Sequence, residues 1–323
     1  MASFWGCTTG NKKGPNIRKV KLEINVDHFE RDFFALDTNK LDQGLDSLKT
    51  KYGYFYNDFL FNIAAFSMNY GELKGQINTF LRSNKEVYDS VDYYIPHLNR
   101  QIKEIENAFK RAKIYFPGLD LPTKVITYIG PIDGYGSFVS KSGLCIGLQQ
   151  FFGFKFSGYF KQADYLESLF GKQRLQQFTP DYIAPNAIMS WINREFPDKA
   201  GHFTLGEKLV EEGRKVYLLK ALLPDLPNSA IFGYSESQTQ WCHNNSILIK
   251  RYFDQKRLLQ TKNPEKIVAY LSDNLRPADL PKEFPDNIGK YLGFLMVQEF
   301  MDDHKKTTLP VLMKLDLGKI RLN

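Results

Sequence analysis

The 323-residue sequence is short of most of the residues that announce a catalytic or metal centre. Its three cysteines, Cys7, Cys145 and Cys242, form no CxxC pair and show no Cys/His ligand spacing, which argues against a structural zinc site. Its five histidines, His28, His97, His202, His243 and His304, are scattered, and no two stand four apart, so HExxH is absent. There is no GxSxG elbow and no phosphate-binding glycine loop; Gly130–Gly136 reads as a hairpin turn. No apolar run approaches the ~20 residues of a membrane-spanning helix, and mean hydropathy is −0.38. No internal repeat or low-complexity segment is present. These absences leave no metal, cofactor or catalytic residue to nominate from motifs alone.

What is present is aromatic and basic. Phe (26) and Tyr (18) supply a packed core. The 43 Lys and Arg are interspersed with 36 Asp and Glu, giving a net charge of +7. Such mixing argues against nucleic acid as a partner. The one basic cluster, Lys12, Lys13, Arg18, Lys19 and Lys21, reads either as a solvated tail or as a segment drawn to anionic lipid. Just before it, Gly6-Cys7 followed by a polar stretch is similar to the end of a lipoprotein signal. Six residues cannot supply the apolar region such a signal needs. Either the natural start lies upstream, where a basic start and an apolar middle are expected, or Cys7 is an ordinary exposed thiol. Cys145 and Cys242 read as two separate buried thiols, with a disulfide as the alternative.

Periodicity predicts strands over 18–26, 124–129 and 143–148, with a short one at Phe138-Val139. Residues 27–36 turn helical, and 40–94 is a set of helical pieces broken at Gly44, Gly53, Gly71 and Gly75. Leu98, Ile102, Ile105, Phe109 and Ala112 form one apolar stripe on a helix ending before Pro117-Gly118. Pro180 opens a helix to about Glu195. Thr204/Glu207 and Ser235/Gln238 are capping boxes, opening helices to Leu223 and about Phe253. A further helix spans Pro285–Met301, where Gly289 and Gly293 would let a neighbour approach closely. The fold class is therefore α+β, mostly helical, with a small antiparallel-rich sheet: a tether at 1–17 and a single domain at 18–323.

Acid pairs such as Glu104/Glu106 and Asp302/Asp303 do not share a helical face and read as solvated surface. Cys242-His243 are neighbours about 100° apart on a helix and make no nucleophile–base pair. One acid stands out. Leu205, Leu209, Glu212, Val216, Leu219 and Leu223 share a face, which places Glu212 inside an apolar stripe. It reads either as an internal, hydrogen-bonded carboxylate or as a cleft-facing functional one. Gly213 beside it leaves room for another backbone.

Several segments, in order, carry a resemblance. Val20–Phe34, Tyr115–Leu119, Lys124–Ile129, Gly143–Leu148, Asp181–Asn186, Leu209–Tyr217, Leu222–Pro224 and Pro285–Gly293 resemble the gliding-motility lipoprotein GldB family of the Bacteroidota. The resemblance implies a lipid-anchored envelope protein attached through Cys7; with no acidic run after Cys7 of the kind that exports such lipoproteins to the cell surface, the domain is expected to face the periplasm. It implies a role in surface gliding and type IX secretion, with other motility or secretion proteins as partners. It is also similar to a zinc-protease-like (zincin) fold without the metal site. Pro185 and Met189 fall where that motif has its two histidines, Asn186 where it has its base, and Glu211-Glu212-Gly213 on the third-ligand helix. Neither Pro nor Met replaces an imidazole on zinc, and an amide is no general base. Glu212, Gly213, Asn186 and Met189 are thus the candidate cleft or interface residues of a pseudo-enzyme. A hydrolase of peptide or glycan acting around Glu212 and a polyanion-binding module are the alternatives.

Overall fold

The computed structural model describes residues 14–199 and 201–322; Cys7, Lys12 and Lys13 lie outside them. Helix makes up 59% and strand 6%, which is the expected mostly helical α+β class.

The sheet has four strands, β1 (Asn25–His28), β2 (Lys124–Tyr128), β3 (Ser137–Ser140) and β4 (Gly143–Gly147), in the order β1-β2-β4-β3. β1 and β4 both run parallel to β2, and only β3 against β4 is antiparallel. The expectation of an antiparallel-rich sheet is corrected here. It assumed that β2 and β3, joined by the Gly-rich turn, would be hairpin partners. Instead β4 inserts between them, and the turn spans two strand spacings, about 9–10 Å. The predicted first strand also shrinks from 18–26 to Asn25–His28, because β1 is an edge strand whose pairing with β2 begins only at Asn25↔Lys124.

Alternation along the strands divides the interior into two. Val125, Ile129, Leu144 and Ile146 join the main core. This core packs on the Leu98–Tyr115 and Ile183–Glu195 helices, with Ile105, Phe109, Ile188 and Trp191 fully enclosed. Ile126, Tyr128 and Cys145 face the second cluster, which is chiefly aromatic. There Phe29 lies 4.8 Å from Tyr52 and 5.0 Å from Phe55, both edge-on, and Phe33 lies 4.9 Å from Phe59. Edge-to-face contacts of this kind contribute ~0.5–1.5 kcal/mol each beyond area burial.

Both capping boxes are present, at Thr204/Glu207 and Ser235/Gln238. The helix from Ser235 is interrupted, however, into Glu236–Asn244 and Ser246–Gln255. At the break, Asn245 donates its side-chain amide to the Trp241 carbonyl (2.9 Å), the local competition that makes Asn a poor helix residue. Conversely, Gly44, Gly71 and Gly75 sit inside helices; of the four expected breaks only Gly53, at φ 56°, separates two. Cys145 and Cys242 are separate, buried, free thiols.

The Leu205–Leu222 and Ile288–Asp303 helices form the tightest pair. A Cβ on Gly293 would fall 1.9 Å from the Leu209 carbonyl oxygen, and one on Gly213 would fall 2.1 Å from the Gly293 carbonyl oxygen. Backbone rests directly on backbone. On the other side, Gly289 faces the Tyr270 carbonyl at a distance only glycine allows. Among the described residues no helix is long and apolar enough to cross a membrane.

Candidate functional site

Pro180 starts a single 3₁₀ turn that leads into the Ile183–Glu195 helix. One face of that helix, bearing Asn186, Met189, Ser190 and Asn193, borders a cavity of about 250 Å³. The Leu205–Leu222 helix forms the opposite wall with Glu212 and Val216. The glycine seam fixes where the Ile288–Asp303 helix begins, and so brings Asn287 and Lys290 to the same hollow; Arg174, Gln177, Tyr182 and Asp273 add to its polar lining. Of the residues singled out from sequence, Glu212, Asn186 and Met189 therefore meet in one place. Gly213 does not line the cavity; it makes the helix contact that shapes it.

Glu212 is not the buried acid. Its side chain is 26% exposed, with Lys215 Nζ at 3.7 Å, whereas Glu211 is wholly buried. The apolar-stripe argument assumed one buried face, but this helix is covered nearly all round: Val210, Glu211, Arg214, Lys215 and Leu218 are buried too. Glu211 is well provided for. It accepts from the Lys199 backbone N–H (2.8 Å) and Lys208 Nζ (2.6 Å), with the Arg214 guanidinium at 3.6 Å. Burial pulls the Arg214 pKa down, partly offset by Glu211. This knot ties the loop after the Ile183–Glu195 helix to its neighbour and is structural.

The polar groups of the cavity are fixed by one another. Arg174 donates to Gln177 Oε1 (2.6 Å) and Asn186 Oδ1 (2.9 Å), its guanidinium 5.9 Å from the Phe178 ring centre. Lys290 reaches both oxygens of Asp273 (3.2 and 3.4 Å), which also accepts from the Asn287 amide (2.5 Å). Asn287 itself has a left-handed backbone, φ 58°. Arg174, Asp273, Asn287 and Lys290 escaped the sequence reading. Arg174 lies about a hundred residues ahead of the other three, and only the Asp286-Asn287 pair ahead of an apolar helix gave any local signal.

No histidine lines this cavity, and Ser190, its hydroxyl, is hydrogen-bonded to Ser137 (2.7 Å). Among the described residues, no three of His, Cys, Asp and Glu gather closely enough to hold a metal ion. A second polar cluster, His28, Glu30 and Thr127, superficially suggests a relay. Both the Thr127 hydroxyl (3.1 Å) and Glu30 (3.0 Å) meet the same ring nitrogen, Nδ1, and Thr127 is fully buried, so no proton path to a nucleophile results. The cavity lining thus offers amides, a thioether and charged groups, and Lys290 and Asp273 are held on one another.

The model of the gliding motility protein GldB family matches residues 10–321. Neither the curated proteins nor the solved structures gave a match. The family match covers nearly the whole chain, both halves of the sheet and every wall of the cavity, and the chain therefore belongs to the GldB family of gliding motility proteins.

Proposed function

We propose that this gliding-motility protein is a lipid-anchored, periplasm-facing accessory of the motility and type IX secretion apparatus. In this reading it works by holding a partner protein, with a degenerate zinc-protease-like body and no catalysis. The observation that carries the reading is the cavity wall itself. Asn186 and Met189 line the cavity together with Glu212, and in the proposed zinc-protease-like body Pro185, Asn186 and Met189 would occupy the positions of the metal-binding and basic groups. Such a wall offers amides and a thioether, suited to binding. Cys7, ahead of the exposed Arg18, Lys19 and Lys21, is the proposed lipid-attachment site.

The test is co-purification from detergent-solubilised envelopes with an affinity-tagged chain. Recovery of identified motility or secretion components, reduced when Met189 is replaced by Trp to fill the cavity, supports the reading. Recovery of none of them refutes it. Labelling with a radioactive fatty acid, lost in Cys7→Ala, checks the anchor. The alternative, a hydrolase acting on peptide or glycan around Glu212, predicts turnover by the purified domain that Glu212→Ala abolishes.

A further inference from the structure

The cavity holds a cation with no close counter-ion among the described residues. Among the described residues no carboxylate comes within ion-pair distance of Arg174, although the side chain is half-buried. Of the other charges in the lining, Lys290 pairs with Asp273, and Glu212 lies 3.7 Å from Lys215, whose ammonium also meets Asp198. Burial lowers the pKa of Arg174, with Asp273 only partly compensating, as befits a guanidinium short of counter-charge. Two of its five N–H groups are committed to Gln177 and Asn186, which hold its plane in place.

A second polar atom nearby is also unpartnered. Asn287 is 3% exposed, and its Oδ1 has no hydrogen-bond partner among the described residues. The amide cannot be turned round to relieve this, because its nitrogen must face the Asp273 carboxylate. An acceptor buried without a donor costs ~1–3 kcal/mol. That oxygen is enclosed, so what the open part of the site lacks is a carboxylate at ion-pair distance from Arg174.

We propose that the cavity receives a single carboxylate of a partner polypeptide, either an Asp or Glu side chain or a chain end, with Arg174 as its anchor. A planar guanidinium matches a carboxylate in paired hydrogen bonds. The volume of about 250 Å³ admits one residue. A phosphate dianion fits worse, since Asp273 and Glu212 border the same space and would repel the second charge. The inference rests on the reading of this cleft as the place where a partner is held, and names the group it holds.

The experiment is titration of the purified domain, by calorimetry or saturation-transfer NMR, with four probes. N-acetylglutamate α-amide carries a side-chain carboxylate, and N-acetylalanine a chain-end one. N-acetylglutamine α-amide is the neutral isostere, and inorganic phosphate the competing anion. At least one carboxylate should bind about tenfold or more tightly than the neutral isostere, the size expected of a charge-assisted pair; which one wins identifies the source. Arg174→Gln and Ala230→Phe, the latter filling the cavity without altering charge, should each weaken it at least about tenfold, while Arg82→Gln, on a distant exposed helix, should not. A thermal melt checks folding; should Arg174→Gln not fold, Ala230→Phe decides. No preference over the neutral isostere, binding unaffected by the cavity variants, or tighter binding of phosphate overturns the proposal. If motility components still co-purify in that event, the partner-holding role stands and only the carboxylate assignment falls.

Discussion

Replacing Gly293 by alanine should cost the fold at least ~2 kcal/mol, even though alanine is the better helix former by ~1 kcal/mol. The added methyl would sit 1.9 Å from the Leu209 carbonyl oxygen, about 1.5 Å short of the 3.4 Å at which ordinary contact begins. The obstacle is backbone, so no side chain can swing aside; the two helices must part. Gaps of 0.5–1 Å forfeit about a quarter to a half of each atomic contact they open, and the seam runs through fully buried Leu209, Ile288 and Leu292. Overpacking ordinarily costs ~1–3 kcal/mol, and a clash against main chain belongs at or beyond the top of that range. The measurement is the urea midpoint followed by helical circular dichroism. Gly75→Ala is the matched control: Gly75 lies within the Tyr70–Ser83 helix with nothing within 4 Å of the new Cβ. It should gain ~0.5–1 kcal/mol. If Gly293→Ala were as stable as the parent, or shifted in the same direction as Gly75→Ala, the account of the seam would be wrong.

Three further outcomes are expected. Glu211→Ala leaves Lys208 and Arg214 without their shared counter-ion in a buried setting, and should destabilise by ~3–5 kcal/mol, with Glu211→Gln milder because it still accepts from the Lys199 N–H; urea titration of both variants checks the order. Burial pushes the Cys145 and Cys242 thiols up to about 12, so a thiolate fraction of ~10⁻⁴ at pH 8 should leave both unalkylated in the native protein; peptide mapping after iodoacetamide, with and without denaturant, measures this. Burial alone would raise the Asp32 carboxyl, but hydrogen bonds from Lys51 and Tyr52 outweigh it and hold it below its ordinary value. A lowered folded pKa means the folded state binds the proton less readily. The stabilisation is therefore full above the unfolded carboxyl's ~3.9 and is lost as pH falls below that through the folded value; Asp32→Asn should flatten the acid limb of a stability–pH curve, and an unchanged limb would contradict the assignment.

The elements that were legible in the sequence are those whose signal is local. The apolar stripe from Leu98 to Ala112 gave a helix with the expected ends, and the Thr204 and Ser235 caps satisfy their own first turns whatever surrounds them. Gly289 and Gly293 announced a close helix neighbour by spacing alone. The sheet was misread where the information is non-local: nothing within Gly130–Gly136 says that β4 will slip between β2 and β3. Glu212 and Glu211 were confused for a related reason. A stripe argument needs a solvent side, and a helix sheathed by Leu98–Tyr115, Ile183–Glu195 and Ile288–Asp303 has almost none. Asn186 and Met189 were picked out through the family resemblance and Glu212 first through the apolar stripe, and the structure gathers them at one cavity. Arg174 and Asn287 could not be found that way, since what distinguishes them is the partner each lacks, and that is a property of three-dimensional surroundings.

The glycine seam also sets a dimension. Gly213 adjoins Glu212 on one wall of the cavity, and Gly293 lies three residues beyond Lys290 on another. Main chain pressed on main chain cannot flex as interleaved side chains can, so the gap between those walls behaves like a fixed gauge. A guest of the wrong breadth would have to pry two buried helices apart to enter. Selectivity and thermal endurance would then drift together across natural variants, since any atom added at the crossing widens the opening and loosens the body in one stroke.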